Sequence, residues 1–417
     1  MHLPGVTFIL KVMGGGDFPQ HGRVIELRRS MEGRSLLVTN RFDQATLRFE
    51  AELLERRDPR PVDDEGETQI YTPIELPLPQ RHVWLKHTQR EWLLFQMRDA
   101  QGRAAMQAVV SIYRPRGLGD LVSQGMVHRL GPAATGEDEE AGLRGLRLMS
   151  AELGDLLSLR LQPRRTVQRS LYDYEARARR AGFSLRDPEG ITRTLVVDLS
   201  TTPEAYLASR TKKTRAKFRH RKRAEVDIRP LEDPRWIPAC RAAALASIGR
   251  TGGESASRMD LAALFGVAAE RPELARIFGL FLPDRPQELL AFVSIMRHGR
   301  LAEYTMAGSL FDPVLRSMPF NYFLLWELMT WAREGGSVML DLGGVTEGGP
   351  TDPLAGISSF KRNLTDSDVE LGREMAVDLK PVRLQMFEYS REARDRLDKL
   401  RGWWHARHDK TKPGRAA

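Results

Sequence analysis

The feature that most constrains this chain is a repeated plan. Glu91–Met97 reads as a strand, Arg98–Gly102 as a hairpin turn and Ala104–Tyr113 as the return strand. In the second half, Phe278–Leu282, a turn at 283–287 and Leu289–Met296 make the same device. A helical stretch and a strand follow each hairpin. Leu143, Leu146, Leu153, Leu156, Leu157 and Leu161 stand near helical spacing over 141–161, a second helix is expected over 170–181, and Thr194–Leu199 is a strand. Phe320–Arg333 is apolar on nearly every side, which predicts a buried helix ending at Gly335-Gly336, and Val338–Leu342 is the next strand. Two successive hairpin, helix and strand units imply an α+β chain with an internal duplication of fold. The 417 residues are also too many for one ordinary core at ~150 residues per domain.

Charge divides the chain further. There are 64 Lys+Arg against 55 Asp+Glu, a formal net charge of +9. Residues 210–223 hold nine of the basic residues and no acid, so the remainder balances at 55 of each sign. The expected start of this basic helix is Ser200-Thr201-Thr202-Pro203-Glu204, a cap with proline in the first turn. Like charges at i, i+4 repel by roughly 0.2–0.5 kcal/mol per pair, so such a helix should gain from an anionic partner. Lys212, Arg215 and Arg219 are the candidate phosphate ligands. A solvated helix neutralised by acidic loops such as Glu137–Glu140 is the plain alternative. Phe218 is the single aromatic residue in the run, so base stacking is not indicated.

The expected organisation is an N-terminal strand-rich segment and linker over 1–80, a first domain over 81–200 and the basic linking helix over 201–225. A second domain with the candidate site covers 226–380, and an amphipathic helix and tail cover 381–417. Val24–Leu27 and Thr46–Glu50 are read as strands within the first segment, Val226–Ile228 as a strand, and 235–276 as helical. A single cysteine, Cys240, excludes a disulfide framework and a cysteine-rich metal site. Its Ala-rich helical context makes it a small buried residue. The nine histidines show no metal-ligand spacing, and no metal is expected. No run reaches the roughly 20 apolar residues of a membrane span, so a cytoplasmic protein is expected, with peripheral contact to an anionic membrane through the basic stretch 210–223. Trp403-Trp404 would pack on the second domain or touch that surface.

Two loops could carry chemistry. Arg114-Pro115-Arg116-Gly117-Leu118-Gly119 fits R-x-x-G-x-G, the coenzyme A diphosphate loop of GNAT enzymes. Its downstream context, broken at Gly125 and again at Gly131-Pro132, argues for a simple turn. The sharper signal is Asp341-Leu342-Gly343-Gly344 at the end of a buried strand, followed after a Gly/Pro-rich loop by Gly356-Ile357-Ser358-Ser359-Phe360-Lys361. Paired glycines permit close backbone approach. A lysine just beyond them can stabilise charge developing on a carbonyl oxygen. A tight loop bearing a surface lysine fits the same residues.

Asp341-x-Gly343-Gly344, Gly356-x3-Phe360-Lys361, Asn321-Tyr322 and Trp331-Ala332-Arg333-Glu334-Gly335 resemble the Fem family of peptidoglycan-bridge aminoacyltransferases. Val197-Asp198-Leu199-Ser200, Lys213-Thr214-Arg215 and Arg223-Ala224-Glu225-Val226 are similar to that family's basic linking helix. The resemblance spans about 190–380. It implies two tandem GNAT-like acyltransferase domains, mixed sheets flanked by helices, joined by a basic helix. It implies aminoacyl-tRNA as donor and an amine of a lipid- or nucleotide-linked muramyl-peptide precursor as acceptor, with no tightly bound cofactor. On this reading Lys361 and Asp341 are the catalytic candidates. Lys361 would stabilise the oxyanion or hold the terminal ribose or phosphate. Asp341 would take a proton or, as we favour, orient Lys361 or loop amides. Phe360, Gly343, Gly344, Tyr304 and Asn321 would line the substrate cleft. The alternative is a coenzyme A-dependent N-acyltransferase using acetyl-CoA on an amino-sugar or other amine. A non-enzymatic RNA-binding protein is the third reading.

Overall fold

The computed structural model describes residues 9–10, 25–55, 76–114, 123–131, 133–153, 156–163, 168–188, 192–221, 224–251, 260–346, 352, 355–387, 389–390 and 396. The first half runs β1 (Ile9–Leu10), β2 (Glu26–Met31), β3 (Arg34–Thr39), α1 (Gln44–Glu55), α2 (His82–Leu85), β4 (Trp92–Arg98), β5 (Ala104–Tyr113), β6 (Ser123–Leu130), α3 (Gly136–Glu152), β7 (Leu156–Pro163), α4 (Gln168–Arg180) and β8 (Ser184–Leu185). It continues with β9 (Arg193–Asp198), α5 (Pro203–Ser209), α6 (Lys212–His220), β10 (Asp227–Pro230), α7 (Ile237–Thr251), α8 (Leu261–Glu270), β11 (Ala275–Phe281), β12 (Ala291–His298), β13 (Leu301–Ser309), α9 (Pro313–Ser317), α10 (Phe320–Glu334), β14 (Met339–Gly344), α11 (Ala355–Arg362), β15 (Asp368–Glu370) and β16 (Met375–Asp378).

These strands form two mixed sheets. One has the order β1-β2-β3-β4-β5-β6-β7-β16-β8, the other β10-β11-β12-β13-β14-β9-β15. Each has one parallel pair, β6 with β7 and β13 with β14. A parallel pair needs a crossover, and α3 and α10 supply it. The duplication expected from element order is thus a repeated antiparallel meander followed by a helical crossover. The chain has an α+β architecture of two mixed sheets flanked by helices.

Sheet membership moves the expected domain boundaries. β2 and β3 pair with each other, and β3 pairs with β4, so 26–39 belongs to the first sheet rather than to a separate segment. Thr194–Leu199, expected in the first domain, corresponds to β9, which lies between β14 and β15 in the second sheet. β16 returns from the second domain to lie between β7 and β8. The halves therefore exchange one strand each, which local patterning could not reveal. A shared core adds to this: Leu78, Trp84, Leu85, Leu94 and Val109 pack in one cluster with Leu264, Phe265, Ile277, Phe281, Phe292 and Met296.

Local corrections have local causes. Thr46–Glu50, expected as a strand, lies in α1. Asp43 accepts from Thr46 N at 2.7 Å while Thr46 Oγ1 accepts from Asp43 N at 3.1 Å, a reciprocal cap that starts a helix. Phe49 and Leu53, four apart, bury the same face of α1 against Ala104. The leucines of 141–161 divide between α3 and the buried strand β7. A short continuous apolar run cannot distinguish these states by period alone. The basic helix is two helices. Arg210 is extended (φ −89°, ψ 159°), and the Thr211 side chain accepts from Thr214 N at 3.2 Å to start α6.

Cys240 is fully buried in α7, and burial pushes its thiol up to about 12. The native protein is therefore expected to leave a disulfide thiol reagent unconsumed at neutral pH and to react with one equivalent once denatured. Among the described residues no helix is long and apolar enough to cross a membrane, and no group of three or more His, Cys, Asp or Glu could hold a metal ion. The expected amphipathic helix at 381–410 is described mainly over 381–387, which is helical. Trp403 and Trp404 lie outside the described residues.

Candidate active site

Asp341 and the two glycines end β14, where that strand is flanked by β13 and β9. Asp341 faces Glu303 across one strand and Val196 across the other. It is 1% exposed. Its Oδ1 accepts from Thr194 Oγ1 at 2.5 Å and from Gly343 N at 2.7 Å. The β14–β9 register breaks between Asp341 and Gly344, and Gly343 takes φ +75°. This region of dihedral space costs a side-chain-bearing residue roughly 1–2 kcal/mol. A Cβ at Gly343 would meet Lys361 Nζ and Tyr304 O at 3.6 Å, ordinary contact distance. Gly343→Ala is accordingly expected to lower unfolding free energy by about 1–2 kcal/mol through backbone strain alone, measured by chemical denaturation.

Lys361 comes to this strand end from α11. It is buried, and its Nζ donates to Gly344 O at 2.7 Å. The same Nζ sits 5.8 Å from the Tyr304 ring centre. Tyr304, Leu325, Leu342, Phe360, Lys361 and Leu364 surround a void of about 10 Å³, room for no more than a water molecule. Burial holds the Tyr304 phenol well above the ordinary tyrosine value, so it stays protonated. Lys361 is thus no surface lysine: its ammonium is fixed against the glycine turn that Asp341 organises.

Phe360 extends the cluster. Its ring meets Tyr322 of α10 edge-on at 5.2 Å, and Tyr322 meets Phe218 of α6 at 5.2 Å. Lys217 lies 4.7 Å from the Tyr322 ring centre and donates to its hydroxyl at 3.2 Å. Sequence reasoning did not single out Thr194, placed Lys217 only among the cations of the basic run, and met Tyr322 only beside Asn321. Tyr322 stands beside the chosen Asn321, but helical geometry turns it inward, while Asn321 remains exposed at the start of α10. Thr194 is 147 residues from Asp341, and no local signal could have paired them.

The candidate phosphate ligands separate. Lys212 and Arg219 are exposed on α6 and form no ion pair among the described residues. Arg215 instead donates to the carbonyls of Ala208 at 3.2 Å and Arg210 at 2.6 Å, tying α6 to the end of α5. Its guanidinium is occupied as a structural clamp. The acidic run at 137–140 does not neutralise the basic stretch. Glu137 and Asp138 pair with Arg34, Glu139 with Arg177, and Glu140 with Arg144 and Arg180, all in the first half.

The R-x-x-G-x-G stretch follows β5 and precedes β6, and these strands are antiparallel. Of that stretch only Arg114 is among the described residues, so the expected turn at 115–119 lies outside them. Arg114 forms a bidentate pair with Glu91, both contacts at 2.8 Å.

No protein-family model matches the chain, and no curated protein matches it in sequence. Solved structures do. FemX is 13% identical with a TM-score of 0.60, over 82% of this chain and 98% of that chain. A tandem GNAT protein from the clavulanic acid biosynthesis pathway is 12% identical with a TM-score of 0.48, over 82% of this chain and 98% of that one. The C-terminal DUF2156 domain of a putative lysylphosphatidylglycerol synthetase from Agrobacterium fabrum is 13% identical with a TM-score of 0.45, over 71% and 86%. The chain has a FemX-like fold.

Proposed function

We propose that this protein is an acyltransferase that moves an amino acid from aminoacyl-tRNA to an amine of a peptidoglycan precursor. The observation that carries the reading is the buried Lys361 ammonium held at the Asp341-organised glycine turn. The amine nitrogen attacks the ester carbon and a tetrahedral intermediate forms. The ester C–O bond then breaks, the tRNA hydroxyl leaves with a proton, and the new amide nitrogen loses one. Little acid–base chemistry is needed, because the ester is already activated. The main requirement is a cation near the oxygen that gains charge, which suits Lys361. Asp341 suits orientation better than proton transfer, since Thr194 and Gly343 already engage its Oδ1.

The surroundings support a phosphate-rich substrate other than coenzyme A. Glu137, Asp138 and Glu139 fill the first turn of α3 and are paired there with Arg34 and Arg177, so side chains already cover that N-terminus. α10 starts after Pro319 without a glycine loop. The exposed cations Lys212 and Arg219 sit instead on α6, which Lys217 and Phe218 connect through Tyr322 and Phe360 to Lys361. Such an arrangement suits the phosphates of a tRNA end or of a nucleotide- or lipid-linked precursor. These partners imply action in the cytoplasm.

The test offers purified protein labelled aminoacyl-tRNA or labelled acetyl-CoA, with muramyl-pentapeptide as the amine. Transfer from the tRNA alone is expected. Acetyl transfer without aminoacyl transfer would replace the reading by the coenzyme A-dependent one.

A further inference from the structure

We propose that the helical turns beginning at residue 381 dock the protein on an anionic lipid surface. Val382, Met386 and Tyr389 are 70%, 67% and 64% exposed. Their spacings of four and three put them on one stripe of a helix. The opposite side is committed: Leu384 and Phe387 are buried in a cluster with Leu157. Leu379 N and Lys380 N both donate to Leu157 O, at 2.8 and 3.0 Å, and fasten the start of the segment to β7. Packing therefore fixes the apolar stripe outward.

Charge selects the occupant. Arg383 is exposed beside the stripe, and Lys380 stands at its start. The following sequence, 391–417, carries nine Lys/Arg against four Asp/Glu, together with Trp403 and Trp404. An apolar stripe flanked by Lys380 and Arg383 and continued by a net-basic sequence matches a bilayer interface with anionic headgroups. A second copy of this chain would set the same cations against each other. The proposal is independent of the transfer chemistry, because it concerns a different surface and its test reads no activity.

Flotation of the full chain with phosphatidylcholine vesicles, with and without phosphatidylglycerol, tests it. Binding is expected only to the anionic vesicles, weakening as salt rises. A Met386→Asp/Tyr389→Asp variant should partition about tenfold less or worse. Its circular dichroism and melting should match the parent, since both side chains are exposed. A Lys212→Glu/Lys213→Glu/Arg219→Glu variant should still float. Failure of the parent to float, or flotation of the aspartate variant like the parent, would overturn the proposal. So would loss of flotation in the α6 variant alone, which would make the basic run the contact. A dimer that the aspartate variant converts to monomer, without vesicle binding, would make a second copy the occupant.

Discussion

Lys361→Met should lower aminoacyl transfer by about 100- to 1,000-fold while the protein remains folded. Methionine keeps the length and apolar stem of the side chain, so the wall shared with Tyr304, Leu325, Leu342, Phe360 and Leu364 stays filled. What is lost is the ammonium. Gly344 O loses the donor that reaches it at 2.7 Å, a cost of about 1 kcal/mol. The proposed oxyanion loses its nearest cation, which matters far more in the transition state than in the ground state. The informative readout is kcat under saturating donor and acceptor, beside a denaturation curve. Full activity in a folded variant would remove Lys361 from the chemistry, and the Asp341 turn would then be a structural corner. Lys361→Arg should recover little, because a planar guanidinium does not fit the place of a compact ammonium.

The largest expected stability effect lies between the halves. Arg129 of β6 reaches Glu303 of β13 with two hydrogen bonds, the Nε one at 3.0 Å. The Glu303 side chain is 3% exposed. His298 Nε2 lies 3.1 Å from the same carboxylate, while His298 Nδ1 accepts from Leu78 N at 2.9 Å. That acceptor role leaves the imidazole proton on Nε2, aimed at Glu303. Arg129 attains this position through unusual backbone: φ is +54°, and the β6–β7 register shifts between Val127 and Leu130. A bulge of this kind re-aims a side chain, here out of the first sheet and into the second. Arg129→Met is expected to cost about 3 kcal/mol, because it strips a buried carboxylate of its main counter-charge. Glu303→Gln in the Arg129→Met background should recover part of that loss, so the double-mutant cycle should show coupling. Urea denaturation of the four proteins measures it. Additive losses would mean that the pair contributes nothing beyond its separate parts. Glu303 is also the neighbour of Tyr304 and the cross-strand partner of Asp341, so the same contact helps place the strand that lines the candidate site.

Much of the site's backbone was legible in sequence. Asp341-Leu342-Gly343-Gly344 announced a strand ending in an unusual turn, and Gly343 at φ +75° has the conformation that only glycine takes cheaply. Phe320–Arg333 was readable as a buried helix because apolar residues occupy nearly all its faces, and the helix formed is Phe320–Glu334. The two hairpins stood where β4–β5 and β11–β12 form, since alternation and turn residues act over a few positions. Less visible was the use made of each side chain. Arg215 and Arg219 are indistinguishable as letters in a basic run, yet one clamps carbonyls of the preceding helix and the other faces solvent.

By itself, the sequence determined the two hairpins, the buried helix and strand that follow the second of them, the duplication, the isolated basic element and the glycine turn with its lysine nearby. All of these depend on spacing, propensity and charge over one or two turns of chain. Only the tertiary structure decided that β9 and β16 change places between the sheets, that Thr194 braces Asp341, and that Lys361 is buried rather than on the surface. These outcomes depend on which distant strand or helix supplies the missing hydrogen bonds and apolar cover. That choice is a property of the packed whole, set by contacts across more than a hundred residues, and no window of sequence contains it.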